Sequence, residues 1–413
     1  MNVFGVIILI TILAKFFIDI LARWLNLRSL DPQAPPEFHD LYDPAEYARS
    51  QDYARVNTKF HFIESSFQLA LFLVFWFAGG FNWLDQFVRD LEYGPIITGI
   101  LFIGILGLAG TLLSLPFEIY HTFVIEEKFG FNRTTVRTFV MDRLKGLGLA
   151  IVIGAPFLAV ILWFFQTFGG IAWLYAWLFT TVFMLLIQFI APIWLMPLFN
   201  KFTPLPEGEL RQAIEDYAAS VRFAFKDIYV VDASKRSSKA NAFFTGFGKS
   251  KRIALFDTLV EQQTMPEVLA VLAHEIGHYQ KRHVPIMIAV SIAHSFIIFY
   301  LLSIFLRSPG LYEAFQMIQP SIYAGLLFFG LLYEPISFLL SILMNVVSRR
   351  HELQADHYAV MTLRENENMI SALKKLAVKN LSNLSPHPLF VFLNYSHPPL
   401  MERIQRMRSY QTA

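Results

Sequence analysis

The sequence predicts a mainly α-helical, polytopic membrane protein whose hydrophilic parts build an α+β domain. Three observations carry this. Seven apolar stretches are long enough to cross a bilayer, two hydrophilic pieces interrupt and follow them, and the first of those pieces contains an HExxH pattern. Of 413 residues, 55% are hydrophobic and 16% charged, against about 25% charged in an average soluble domain. A net charge of +2 offers no footing for nucleic acid. Cysteine is absent, which excludes thiol nucleophiles, disulfides and cysteine metal ligands together. Any metal must then be held by His, Asp or Glu.

A span needs about 20 predominantly apolar residues. The stretches 3–25, 63–84, 96–124, 146–168, 171–199, 284–306 and 321–347 qualify. The first is too long for a signal-peptide core and has no charged leader, so it reads as a retained helix. Lys15 and Asp19 within it are four residues apart and can pair on one face. Spans one to five thus fill 1–199, and spans six and seven fill 284–347. The connections between spans one and two and between three and four carry five Lys or Arg each, from Arg23 to Lys59 and from Lys128 to Lys145. The 2–3, 4–5 and 6–7 connections carry Arg89, none and Arg307. The positive-inside rule makes the basic side cytoplasmic, with the N-terminus outside.

The hydrophilic pieces 200–283 and 348–413 fall on that basic side and can join into one domain. The first opens on a Pro-punctuated turn and an amphipathic helix within "NKFTPLPEGELRQAIEDYAASVRF". The β-rich runs "DIYVVD", "NAFFTGFG" and "KRIALFDTLV" follow, separated by Lys, Ser and Gly. Thr264 and Glu267 in "TMPE" fit a capping box, with Pro266 tolerable in the first turn of the helix it starts.

That helix carries His274, Glu275 and His278. Side chains at i and i+4 share a helix face, so the two histidines can grip one ion while Glu275 leans toward a water on it. The bland alternative is a chance match. A catalytic zinc also wants a third protein ligand and one open position. After span seven, "SRRHELQADHYAV" sets Glu352 and Asp356 at the same i,i+4 spacing. This offers a carboxylate ligand and a second carboxylate to hold a ligand histidine by its far nitrogen. Alone it reads as a solvated charged helix; beside HExxH the balance reverses. The metzincin spacing fails, since positions 281 and 284 hold Lys281 and Val284. His283 has the wrong helical phase to join the pair and is taken as structural; His351 and His357 read as packing or surface residues. Glu64, Glu118, His121, Gln188, His294, Glu334 and Asn345 lie in or near spans, where polar groups face a cavity or a neighbouring helix. For Glu334 the cavity is favoured.

Longer motifs now stand in order: "FVIEEKFGFNRTT", "APIWLMPLFNKFTPLP", "NAFFTGFGKSKRIALFDTLVE", "HEIGH", "SRRHELQAD" and "NYSHPPLMERI". Together they resemble the type I CAAX prenyl proteases, the a-factor-converting enzyme family of integral-membrane zinc metalloproteases. The resemblance implies a hollow barrel of seven helices around a water-filled chamber, capped by a zincin-like domain. It implies that His274, His278 and Glu352 bind one zinc, that Glu275 is the general base and that Asp356 supports a ligand histidine. It also implies that His397 stabilises the tetrahedral intermediate and that Asn241 begins an edge strand binding substrate backbone. Arg403, grouped with the substrate-binding residues, would order the C-terminal motif.

The expected activity is therefore zinc-dependent endoproteolysis of a peptide or protein, prenylated or not, at the cytoplasmic face of the bilayer. The alternatives are a quality-control protease of the heat-shock membrane type, and a transporter or receptor with structural zinc. The compact 2–3 and 4–5 loops, and a C-terminal "SYQTA" without a retrieval signal, resemble bacterial members. That reading puts the chain in a bacterial inner membrane, or in the endoplasmic reticulum membrane if it is eukaryotic. Oligomeric state is not legible.

Overall fold

The structure is a computed structural model that describes residues 1–239, 241–245 and 251–410. Among these, seven helices are long and apolar enough to span a membrane: Val3–Arg28, Pro44–Phe77, Pro95–Glu126, Val136–Thr167, Gly169–Phe199, His283–Phe305 and Ile322–Leu363. They coincide with the seven expected stretches, but several run on. The second begins at Pro44, where the Asp43 side chain caps Ala45 N–H. The seventh continues to Leu363 as one helix of 42 residues. A helical hydrogen-bond ladder stops at a cap or breaker, not where apolar residues end.

A compact bundle buries one face of every helix. Here no more than 17% of the most apolar window of any span is buried. The helices are staves of a hollow barrel, each with one face outward and one toward the interior. One end is plugged by aromatic packing: Phe315 stacks on Trp76 at 4.8 Å and on Phe328 at 3.9 Å, and Trp76 Nε1 donates to Ala314 O at 2.8 Å. Burying each such ring contributes roughly 1.5–3 kcal/mol.

The polar residues in the staves divide into two groups. Glu64, Glu118 and His121 line a cavity of about 440 Å³ between the first four spans, with Arg143 on Glu118 at 2.6 Å. Gln188 lines a second cavity, beside His278. The others bridge neighbours: His294 meets Tyr333 Oη at 3.0 Å, and Asn345 donates to Leu393 O at 2.8 Å. Lys15 pairs with Glu334 rather than with Asp19, because span seven lies alongside that face. Asp19 turns to Arg23 at 2.9 Å and His61 at 2.8 Å.

At the other end sits a four-stranded sheet of β1 (Phe202–Pro204), β2 (Asp227–Val231), β3 (Ala242–Thr245) and β4 (Arg252–Phe256), in the order β1-β2-β4-β3. β2 and β4 are parallel; the other two pairings are antiparallel. β3 is an edge strand, and Asn241 precedes it, its carbonyl accepting from Phe256 N–H at 3.0 Å. Ile228, Ile253 and Leu255 of the sheet form one core with Leu272, Ala273 and Ile276 of the HExxH helix and Ala359 beyond Asp356. A second core joins Phe38, Tyr42 and Tyr47 near the first connection to Ala270, Val360 and Met407. Both cores therefore draw on segments far apart in sequence.

Candidate metal centre

The HExxH helix spans Met265–Gln280 and starts with the expected capping box, Thr264 N–H donating to Glu267 at 2.8 Å. Glu267 is itself buried, yet bonds from Ser371 at 2.6 Å and Lys375 at 2.7 Å keep it ionised. Burial alone would raise its pKa; these bonds and the Thr264 amide lower it. Val268, Leu272 and Ile276 recur every four residues and bury against the sheet side, which turns His274 and His278 toward the helix carrying Glu352. The two helices touch at Gly277: a Cβ there would stand 3.0 Å from Ala355 Cα and 3.1 Å from its carbonyl oxygen. That approach brings the third ligand, the Glu352 carboxylate, within reach.

Among the described residues, His274, His278 and Glu352 are the one group able to hold a metal ion. The Nε2 atoms of the two histidines lie 3.2 Å apart. Glu352 Oε2 is 3.4 Å from His274 Nε2, and Oε1 is 3.3 Å from His278 Nε2. Ligand atoms of a tetrahedral ion with bonds of about 2.0–2.1 Å stand about 3.3 Å from one another. The triangle fits a zinc-sized ion with a fourth corner open. Electrostatics agree. Burial works against charge on His274, but the Asp356 and Glu352 carboxylates outweigh it and raise its pKa to about 9. The cluster holds a site for positive charge.

Asp356 Oδ1 is 2.8 Å from His274 Nδ1, which directs Nε2 to the triangle. Asp356 is fully buried, and Arg403 grips it by Nε at 2.8 Å and Nη2 at 2.6 Å. Arg403, expected among substrate-binding residues, is 8% exposed and holds Asp356, with Nη1 3.8 Å from Glu352 Oε2. Glu275 is raised above its ordinary pKa, first by burial and then by Glu352, against the pull of both ligand histidines and His397. A carboxyl raised toward neutrality suits a general base. His397 Nδ1 approaches Glu352 Oε2 at 2.8 Å, and its ring is 63% exposed.

The sequence reading took His283 as structural and did not foresee its contact with a ligand histidine. His283 lies 3.0 Å from His278 Nδ1, and its other nitrogen is 2.9 Å from Gln354 Oε1. Pro285, two residues after His283, was the available signal: it belongs in the first turn of a new helix, so the phase of the old one no longer applies. His351 stacks on His283 at 3.9 Å, and His357 packs edge-on to Tyr410 at 4.8 Å.

Sequence comparison covers both halves. Residues 23–201 match the family described as CAAX prenyl protease N-terminal, five membrane helices, and residues 204–411 match peptidase family M48. The chain is 38% identical to CAAX prenyl protease 1 of Saccharomyces cerevisiae, over 91% of this chain and 88% of that one. It is 34% identical to the human CAAX prenyl protease 1 homolog, over 99% of this chain and 96% of that one. The crystal structure of S. mikatae Ste24p superposes with a TM-score of 0.93 at 36% identity, covering 98% of this chain and 99% of that chain. These relatives are eukaryotic and lend no support to a bacterial placement. The match along both halves favours this family over the heat-shock type, and a shared fold with shared sequence leaves one conclusion: the chain belongs to the CAAX prenyl protease 1 family, within peptidase family M48, and is a membrane metalloprotease.

Proposed function

We propose that this chain is a zinc endopeptidase, with one zinc per chain, that cuts CAAX-type C-terminal segments inside a membrane chamber opening to the cytoplasm. The observation that carries the reading is the triangle of two Nε2 atoms and the Glu352 carboxylate at 3.2–3.4 Å, with the half-buried Glu275 next in sequence to His274. A zinc ion held by His274, His278 and Glu352 would supply a Lewis acid for the scissile carbonyl and an acidified water. Glu275 then accepts the proton from the attacking water and returns it to the leaving amine. His397 keeps Nδ1 on Glu352, so its exposed Nε2 is free to donate to the developing oxyanion. Edge strand β3, which Asn241 precedes, offers its outer edge to an extended peptide. An interior site favours unfolded chain ends over folded protein. The excess of Lys and Arg in the 1–2 and 3–4 connections supports the cytoplasmic side.

The test is cleavage of a farnesylated CAAX peptide and its unprenylated twin by detergent-purified protein, with zinc measured on the same sample. Glu275→Gln is expected to lower turnover about 10²–10⁴-fold while zinc stays bound. Preference for the lipidated peptide supports the prenylated substrate; equal cleavage points to general membrane-peptide proteolysis. Unchanged turnover in Glu275→Gln refutes the assigned base.

A further inference from the structure

The two ligand histidines are held differently. His274 leans on a carboxylate that is itself gripped by a guanidinium. Among the described residues His278 has no carboxylate at Nδ1; it has His283 at 3.0 Å. On an unbroken helix, five residues turn the side chain about 140° away, and His283 could not reach. The HExxH helix instead ends at Gln280, capped by Lys281, and Arg282 takes φ +58°, a left-handed conformation. His283 becomes the first residue of the next helix, folded back under His278 and 3% exposed.

We infer that His283 is a positioning residue for the metal centre: it accepts a hydrogen bond from His278 Nδ1 and so fixes the ring whose Nε2 faces the ion. The proton assignment follows from the neighbours. His283 Nε2 faces Gln354 Oε1, an acceptor, at 2.9 Å, so the His283 proton sits on Nε2. Its Nδ1 then carries a lone pair, and the hydrogen between the two rings belongs to His278. That leaves His278 Nε2 without a proton, as a metal ligand must be. His351, stacked on His283 at 3.9 Å with planes 8° apart, sets the tilt of the accepting ring. This relay through a neutral imidazole and an amide holds the second ligand without adding a negative charge, whereas Asp356 adds one at the first. Anionic support on both ligands would make the metal a weaker Lewis acid.

The inference rests on the metal reading above, and the experiment separates the two. Zinc affinity is measured by competition with a chromophoric chelator, and the absorption spectrum is recorded after cobalt substitution, for wild type, His283→Phe and His283→Asn. Phe keeps a ring against His351 but removes the acceptor; Asn keeps an acceptor oxygen near the place of Nδ1. Removing such a support typically costs 10–100-fold in metal affinity. The expected result is a loss of that size and a shifted cobalt spectrum in His283→Phe, with much of both restored in His283→Asn. Thermal unfolding of the metal-free proteins shows whether either variant is simply misfolded; a His283→Phe that unfolds like wild type yet binds zinc weakly supports the relay. Wild-type affinity and spectrum in His283→Phe, or equal losses in both variants, overturn it. A wild-type protein that binds no zinc stoichiometrically overturns the metal reading as well.

Discussion

The barrel wall and the metal centre treat charge in opposite ways. In the wall, Glu118 and Arg143 meet at 2.6 Å while 32% and 49% of their side chains stay exposed toward the interior. At the centre, Asp356 and Arg403 meet at 2.6 Å with 0% and 10% exposed. The distances are alike; the surroundings are not. An exposed pair exchanges water for a partner with little net gain, whereas a buried one leaves an uncompensated charge in a dry site if either member is lost. An open cavity beside the pair makes the wall tolerant, and a closed core makes the centre intolerant.

The largest break in that comparison should come from Arg403→Leu. It strands the Asp356 carboxylate, and loss of one partner from a buried pair costs about 3–5 kcal/mol. Thermal unfolding in detergent should show a clear drop in midpoint, with zinc affinity falling too; wild-type behaviour would mean that Asp356 does not depend on this guanidinium. Next comes Gly277→Ala. Its methyl would meet backbone atoms of Ala355 at 3.0–3.1 Å, which cannot rotate aside. Overpacking of this kind costs about 1–3 kcal/mol, and it should separate the histidine pair from Glu352, weakening zinc binding. A variant with full zinc affinity would show that the helices need not approach so closely. Glu118→Gln in the wall should change stability by less than about 1 kcal/mol. A loss as large as that of Arg403→Leu would argue that the wall is packed dry.

The smallest effect concerns pH and a contact between distant parts of the chain. Glu37, in the first connection, accepts from Arg408 Nη2 at 2.8 Å and from Lys374 at 2.9 Å. Those bonds, Arg408 first, lower its pKa from 4.5 to about 2. A folded-state pKa below the unfolded one stabilises the fold above the unfolded value. This contribution is thus present above pH 4.5 and lost as pH falls toward 2. Melting curves of wild type and Glu37→Gln should differ slightly at pH 7 and converge in acid. A gap that stays constant down the series would contradict the assignment.

Much of this molecule was legible before its fold. Seven spans follow from composition and length, because each helix satisfies its backbone internally and must be apolar to lie in lipid. His274, Glu275 and His278 follow from one helical turn. The capping box at Thr264 and Glu267 is likewise local, and it forms. Helix ends were less legible: apolar runs mark the bilayer, while helices such as Ile322–Leu363 continue far beyond it. Lys15 was paired with Asp19 by spacing alone, but a neighbouring stave supplied Glu334.

The sequence by itself determined the number of spans, the side of the chain that is basic, the metal-binding pattern and the family. Those are properties of composition, period and short motifs. Only the tertiary structure decided how those groups are brought together and supported. Glu352 reaches the histidines because Gly277 lets two helices close to backbone contact; Arg403 settles behind Asp356 because a buried carboxylate needs a countercharge; His283 turns back to His278 because Arg282 adopts a left-handed conformation. Each depends on contact between surfaces brought together by folding, and spacing along the chain carries no record of that.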